Sequence, residues 1–128
     1  MILTYSKEQF KFKIIAKIKI HTIREDKHDR WRPGMSIQHW LYSPRNVSKH
    51  PHQFGTSICR SKQKIEIIWH ESQFMKIADI LIEGNKITDI SVIDQLAIND
   101  GFESRKSFYA WFNKNFTGKI IHWTEFKY

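Results

Sequence analysis

Apolar positions recur along this chain with two periods, and the places where one period gives way to the other mark out its elements. Ile2-Leu3-Thr4-Tyr5 is a short β-prone run. Ser6 and Gln9 then stand in capping-box spacing at the head of a helix over residues 7–16, with Phe10, Ile14, Ile15 and Ile18 as its apolar stripe. The pattern next turns to period two. Ile20 to Arg24 reads as a strand with His21 and Ile23 on one face and Ile20, Thr22 and Arg24 on the other, so Thr22 and Arg24 project together. Past the Pro33-Gly34 turn, Ser36 to Tyr42 alternates Ile37, His39 and Leu41 against Gln38, Trp40 and Tyr42.

Ser43 to Gly55 has no periodic apolar face and holds Pro44, Asn46 and His50-Pro51-His52, the pattern of a long surface loop. Thr56 to Trp69 is a single long β-prone run with Ile65, Ile67 and Trp69 on one face, and Cys59 reads as packed. Ile77 to Glu83 and Lys86 to Ile90 form a hairpin about Gly84-Asn85. Ser91 to Asn99 is a helix stopped by Gly101. A further helix is capped by Ser104, carries Phe108, Trp111, Phe112 and Phe116, and ends near Gly118. Lys119 to Phe126 closes the chain as a strand. The order predicts one α+β domain over residues 1–128: a small, partly closed β-barrel of about six strands flanked by about three helices.

Charge changes the picture more than composition does. Lys and Arg outnumber Asp and Glu by 21 to 13, a formal charge of +8, and a compact basic domain tends to meet polyanions because each neutralised phosphate releases a counterion. The same charge also serves plain solubility. Arg60, Lys62 and Lys64 repeat at strand period, which suits phosphate and edge-strand protection alike. The single cysteine forms no intramolecular disulfide, and no apolar run approaches the roughly 20 residues of a membrane span, so a protein of the cytoplasm is expected. His50 and His52 have no Cys/His pair at zinc-finger spacing, so neither metal nor cofactor is expected.

Candidate chemistry gathers in the stretch from Lys19 to Gly34, where lysine, hydroxyl, arginine, histidines and acids lie within a few residues of each other. It reads either as a strand running into a solvated loop or as convergent polar groups of a small-molecule or phosphate site. For a nucleic-acid module, Lys19 and Arg24 meet phosphate or a base edge and Trp31 or Trp40 stacks; Trp40 fits ordinary packing equally well. For a ribonuclease, His21 or His28 supplies acid and base.

Lys19-x-x-Thr22-Ile23-Arg24 after an N-terminal helix, a charged stretch, and Gly34 before a strand together resemble the ASCH branch of the PUA-like superfamily. Ala97-Ile98-Asn99-Asp100-Gly101-Phe102-Glu103-Ser104, an aromatic helix and the Ile120-Ile121-His122-Trp123 strand are similar to that family's C-terminal half. The resemblance implies a PUA-like barrel binding RNA or a nucleoside in the cleft beside the Lys-x-x-Thr segment. The residue types themselves make His21, Arg24, Trp31 and Trp40 the candidate ligand contacts. Within the family the chain is most similar to small bacterial amidohydrolases that deacylate N(4)-acetylcytidine. That likeness implies Thr22 as nucleophile, Lys19 as base and Asp100 as the acid or orienting carboxylate; Asp100 also fits a plain helix end. Asp stands where the family has Glu, and no Gly precedes Lys19. The expected partner is RNA or a modified nucleoside.

Overall fold

The computed structural model describes residues 1–128. In chain order it contains β1 (Ile2–Tyr5), α1 (Glu8–Ile15), β2 (His21–Arg24), β3 (Ser36–Leu41), a 3-10 turn (Val47–Lys49) and β4 (His52–Ile58). These are followed by β5 (Ser61–Glu71), β6 (Lys76–Ile82), β7 (Asn85–Lys86), α2 (Ile90–Asn99), α3 (Arg105–Trp111) and β8 (Phe116–His122). The fold is α+β, with eight strands rather than about six and with three α-helices. The strands form two sheets, ordered β1-β3-β4 and β2-β8-β5-β6-β7, and neither closes on itself. No helix is long and apolar enough to cross a membrane.

The predicted run from Thr56 to Trp69 is two strands in different sheets. The break falls at Cys59-Arg60: Cys59 exchanges backbone hydrogen bonds with the turn before β3 (its N–H to Met35 O at 2.8 Å, its C=O from Gly34 N at 2.7 Å), whereas the Arg60 N–H reaches His122 O at 2.8 Å. Cys59 is fully buried at this crossover, small enough for the sheets to pass close together. The expected loop over residues 43–55 is also shorter, since His52 to Gly55 already pair with β3.

Local chemistry accounts for the other differences. Ser6 does not cap α1; Lys7 occupies the cap position without a side-chain bond, and the helix stops at Ile15. Of the predicted stripe only Phe10 is buried, while Ile15 and Ile18 are 56% and 47% exposed. Asp89 caps α2 by accepting from the Ser91 N–H, two residues before the expected start at Ser91. The hairpin turns on Glu83 and Gly84, both with positive φ, and β7 is only two residues long. Ser104 and Ser107 complete a reciprocal capping box on α3, which ends at Trp111 because Phe112 leaves helical geometry. Phe116 to Gly118 are consequently strand, and β8 ends at His122.

One core of 19 buried side chains draws on both sheets and all three helices. β8 lies inside its sheet and is covered on both faces, with Ile120 and Ile121 fully buried. β1 and β2, by contrast, are each the free edge of a sheet. Arg24 bridges those two edges, donating from Nη2 to the Thr4 carbonyl at 2.6 Å.

Candidate functional site

Beside that bridge lies a cavity of about 520 Å3. Its walls come from the end of β1, the start of α1, β2, the α2–α3 junction and the segment that follows β3, and Lys19, Thr22, Arg24 and Asp100 all line it. β2 begins at His21, which leaves Lys19 outside the strand and frees it from the alternation that would turn it away from Thr22. The backbone sets this up. Lys17 adopts a left-handed φ of 62°, Ile18 and Lys19 both return N–H bonds to Lys13 O, and Ile20 N–H is held by Asn99 O at 2.9 Å.

Lys19 is 3% exposed and Asp100 is equally buried. The Lys19 ammonium donates to His21 O (2.9 Å), Asp100 O (2.5 Å) and Asp100 Oδ1 (3.4 Å). Burial pushes its pKa down to about 8; the Asp100 charge opposes that shift and the Arg24 charge adds to it. Asp100 is the C-cap of α2, so its backbone and its carboxylate serve the same amine. Gly101 follows with φ +98°, and a Cβ there would fall 2.8 Å from the Phe10 ring and 2.9 Å from Lys19 Cδ. Only glycine turns the chain this close to Lys19.

Behind the pair, His21 Nδ1–H donates to Asp100 Oδ1 at 3.2 Å, and the Tyr128 hydroxyl donates to His21 Nε2 at 2.6 Å. Asn99 donates in turn to the Tyr128 oxygen at 3.0 Å. Gln63 grips the same residue by its backbone: its amide nitrogen donates to Tyr128 O (2.7 Å) and its oxygen accepts from Tyr128 N–H (3.0 Å). His21 is fully buried and does not line the cavity, so it positions Asp100 rather than touching a ligand. Burial holds its pKa below the ordinary histidine value, which keeps it neutral.

Thr22 and Arg24 share a face, as their spacing predicts, with Arg24 Nε donating to Thr22 Oγ1 at 3.3 Å. The guanidinium also sits 5.3 Å from the Tyr5 ring centroid. No hydrogen bond joins Lys19 to Thr22; the three acceptors above take the amine.

The two tryptophans lie elsewhere. Trp31 is 4% exposed and belongs to the core. The charged stretch around it bonds to itself and to the neighbouring strands: Asp26 Oδ1 accepts from Arg30 N–H, Asp29 pairs with Arg32, and Asp29 also meets Lys62 of β5 and Lys119 of β8. Trp40 faces out of β3, its indole N–H on Gln38 Oε1 at 3.4 Å, away from the cavity. His28 is exposed and does not line it either, which leaves both ribonuclease histidines off the site. Of the basic stripe, Arg60 sits in the crossover, Lys62 bonds Asp29 and Lys64 pairs with Glu66 at 3.3 Å. The aromatic walls instead include Tyr5, Phe10, Tyr42, Phe102 and Trp111; the sequence places Tyr5 and Tyr42 in strands, Phe10 and Trp111 in apolar stripes, and Phe102 only in the segment between α2 and α3. The only sequence signal for them was an aromatic run around α3 too rich for so short a helix to bury; Trp111 stays 48% exposed.

Lys19 also borders a second cavity of about 420 Å3 that includes His39, Ser57 and Trp123. His39 is bracketed by the Tyr5 hydroxyl on Nδ1 (2.8 Å) and Ser57 Oγ on Nε2 (2.9 Å), and burial lowers its pKa to about 4.

No group of histidine, cysteine, aspartate and glutamate side chains is arranged to hold a metal ion. No protein-family model, no curated protein and no solved structure matches the chain.

Proposed function

We propose that this protein is an RNA- or nucleoside-binding module of the ASCH branch of the PUA-like superfamily, acting in the cytoplasm, whose two sheets correspond to a partly closed barrel seamed at Arg24 and Thr4. The observation that carries the reading is the meeting of Lys19, Thr22, Arg24 and Asp100, residues from two distant parts of the chain, on one cavity walled by aromatic rings. A ring-lined cavity with a few fixed polar groups suits a planar base: Tyr42 or Trp111 offers a stacking face, and Thr22 and Arg24 offer edge contacts. Binding asks nothing more of these groups than the positions they hold.

The second reading is an amidohydrolase acting on N(4)-acetylcytidine or a related acylated nucleoside. It is favoured by the Lys19 pKa of about 8, within reach of a general base at neutral pH, and by Thr22 on the same cavity. In that reaction a neutral Lys19 amine accepts the proton of Thr22 Oγ1 as that oxygen attacks the acyl carbon, and the resulting ammonium returns the proton to the leaving amine. The acyl group passes to threonine, and water releases the acid. Lys19 must first lose a proton to solvent and turn its lone pair from its present acceptors to Thr22, a rearrangement that places this reading second.

Calorimetric titration with nucleosides and single-stranded RNA, paired with an assay for acetate release from N(4)-acetylcytidine, separates the two. Binding without turnover, weakened by Arg24→Ala, is the expected result. Turnover abolished by Thr22→Ala while binding persists establishes the enzyme instead. Wild-type binding by both Lys19→Ala and Arg24→Ala places the site elsewhere.

A further inference from the structure

The segment from Tyr42 to His50, which forms one wall of the cavity mouth, carries polar groups that the fold leaves unused. Tyr42, Ser43, Asn46 and Lys49 all line the cavity. Asn46 Oδ1 accepts from Ser48 Oγ at 2.9 Å, but its amide nitrogen has no partner in the protein. Lys49 stands 5.7 Å from the Tyr42 ring centroid and takes part in no ion pair, and neither does Arg24 across the cavity. This contrasts with the rest of the lining. Lys19 is neutralised by Asp100, and the one carboxylate at the rim, Glu25, has Lys27 at 3.6 Å.

Backbone geometry adds an independent observation. Tyr42 and His50, which bound the segment, both adopt left-handed φ angles, 64° and 54°. An aromatic residue in that region is strained and persists only where its surroundings hold it, here through the Tyr42 N–H bond to Tyr5 O at 2.8 Å. Lys49, Asn46 and Arg24 line the same cavity, and the two carboxylates on it, Glu25 and Asp100, are paired with Lys27 and Lys19.

We infer that this segment is an anion subsite, and that the ligand of the cavity carries a phosphate: Lys49 and the Asn46 amide bind it from one side, and Arg24 from the other. The inference rests on the nucleoside reading of the cavity and specifies it further, from a nucleoside to a nucleotide. The phosphate belongs either to a mononucleotide, as a monoester, or to an RNA backbone, as a diester. Hydrogen bonds between charged partners are the strong ones, so the phosphate should tighten binding about tenfold or more at low salt.

The test is a calorimetric comparison of the four common ribonucleosides, their 5′-monophosphates and the matching dinucleoside monophosphates, against wild type and an Asn46→Ala/Lys49→Gln variant whose fold is checked by thermal melt. The readout is the ratio of phosphorylated to unphosphorylated affinity. It should be about ten or more in the wild type and fall below about three in the variant. A gain seen with monoesters alone identifies a mononucleotide ligand, and an equal gain with diesters identifies an RNA backbone; both support the subsite. A ratio near one in the wild type overturns the inference and leaves the nucleoside reading standing. A ratio unchanged in the variant also overturns it, because the phosphate then lies elsewhere. If nothing in the panel binds, the nucleoside reading itself falls and the subsite falls with it.

Discussion

Lys19 has no solvent to hydrate its ammonium, so Asp100 and two carbonyls stand in for water, and that substitution makes the surrounding residues intolerant of change. Gly101 is the sharpest case. Gly101→Ala forces a left-handed alanine and a Cβ against Phe10 and Lys19, and we expect a loss of about 2 kcal/mol in chemical denaturation; an unchanged midpoint would show that the α2–α3 junction has slack. The buried histidines make a second residue-scale prediction. Burial lowers the pKa of His39 to about 4 and of His122 to about 3, while each returns to about 6.5 in the unfolded chain. Between those values the unfolded state binds the extra protons, so stability is fully present above about pH 6.5 and is lost as the pH falls toward 4. Each histidine contributes on the order of 1 kcal/mol per pH unit in that window. Melting temperature should therefore drop steeply from pH 7 to pH 5, and a His39→Gln variant should flatten the slope; a flat wild-type profile would contradict the neutral, buried assignment.

Among the elements, α3 is short and depends on its start. Ser104→Ala removes the Ser104 Oγ that accepts from the Ser107 N–H, while Ser107 Oγ still accepts from the backbone N–H of residue 104, and should cost about 1 kcal/mol, read as a lowered denaturation midpoint. The segment after β3 has the opposite character: shortening within residues 44–49 should leave the melt nearly unchanged, whereas cutting into His52–Gly55 removes pairs of β4 with β3 and should collapse it. What was legible in the sequence follows the same division. Thr22 and Arg24 were placed together by strand alternation, which is local and strict. The break at Cys59-Arg60 was not legible, because a change of sheet leaves the period-two pattern intact on both sides of it. Trp31 was misplaced since the charged run around it bonds to itself and to the neighbouring strands through Asp26 and Asp29, and composition alone cannot distinguish charges facing solvent from charges facing each other. The meeting of Asp100 with Lys19 needed a contact across 81 positions, for which the helix stop at Gly101 was the only local hint.

Taken whole, the molecule carries a formal charge of +8, and its carboxylates are unevenly shared among its cations. Asp29 alone engages Arg32, Lys62 and Lys119. Cations left without carboxylates therefore count for more than the total, and Arg24 and Lys49 stand together at one opening. Single-stranded RNA should bind with an affinity that falls with salt by about 0.7 in log K per log unit for each phosphate contacted, so a contact zone of three phosphates gives a slope of roughly −2. A filter-binding series over salt concentration measures it; a slope near zero would remove the polyanion partner.

The hold of Gln63 on Tyr128 has a mechanical meaning. A side-chain amide that takes both backbone groups of one residue acts as a one-rung extension of the sheet, and the hydroxyl of that same tyrosine leads through His21 to Asp100. A load applied at residue 128 is thus divided between β5, which carries Gln63, and the wall of the cavity. In an optical trap pulling from that residue, the first small yield should be the release of this one rung, and the cavity should loosen at that force while both sheets remain whole.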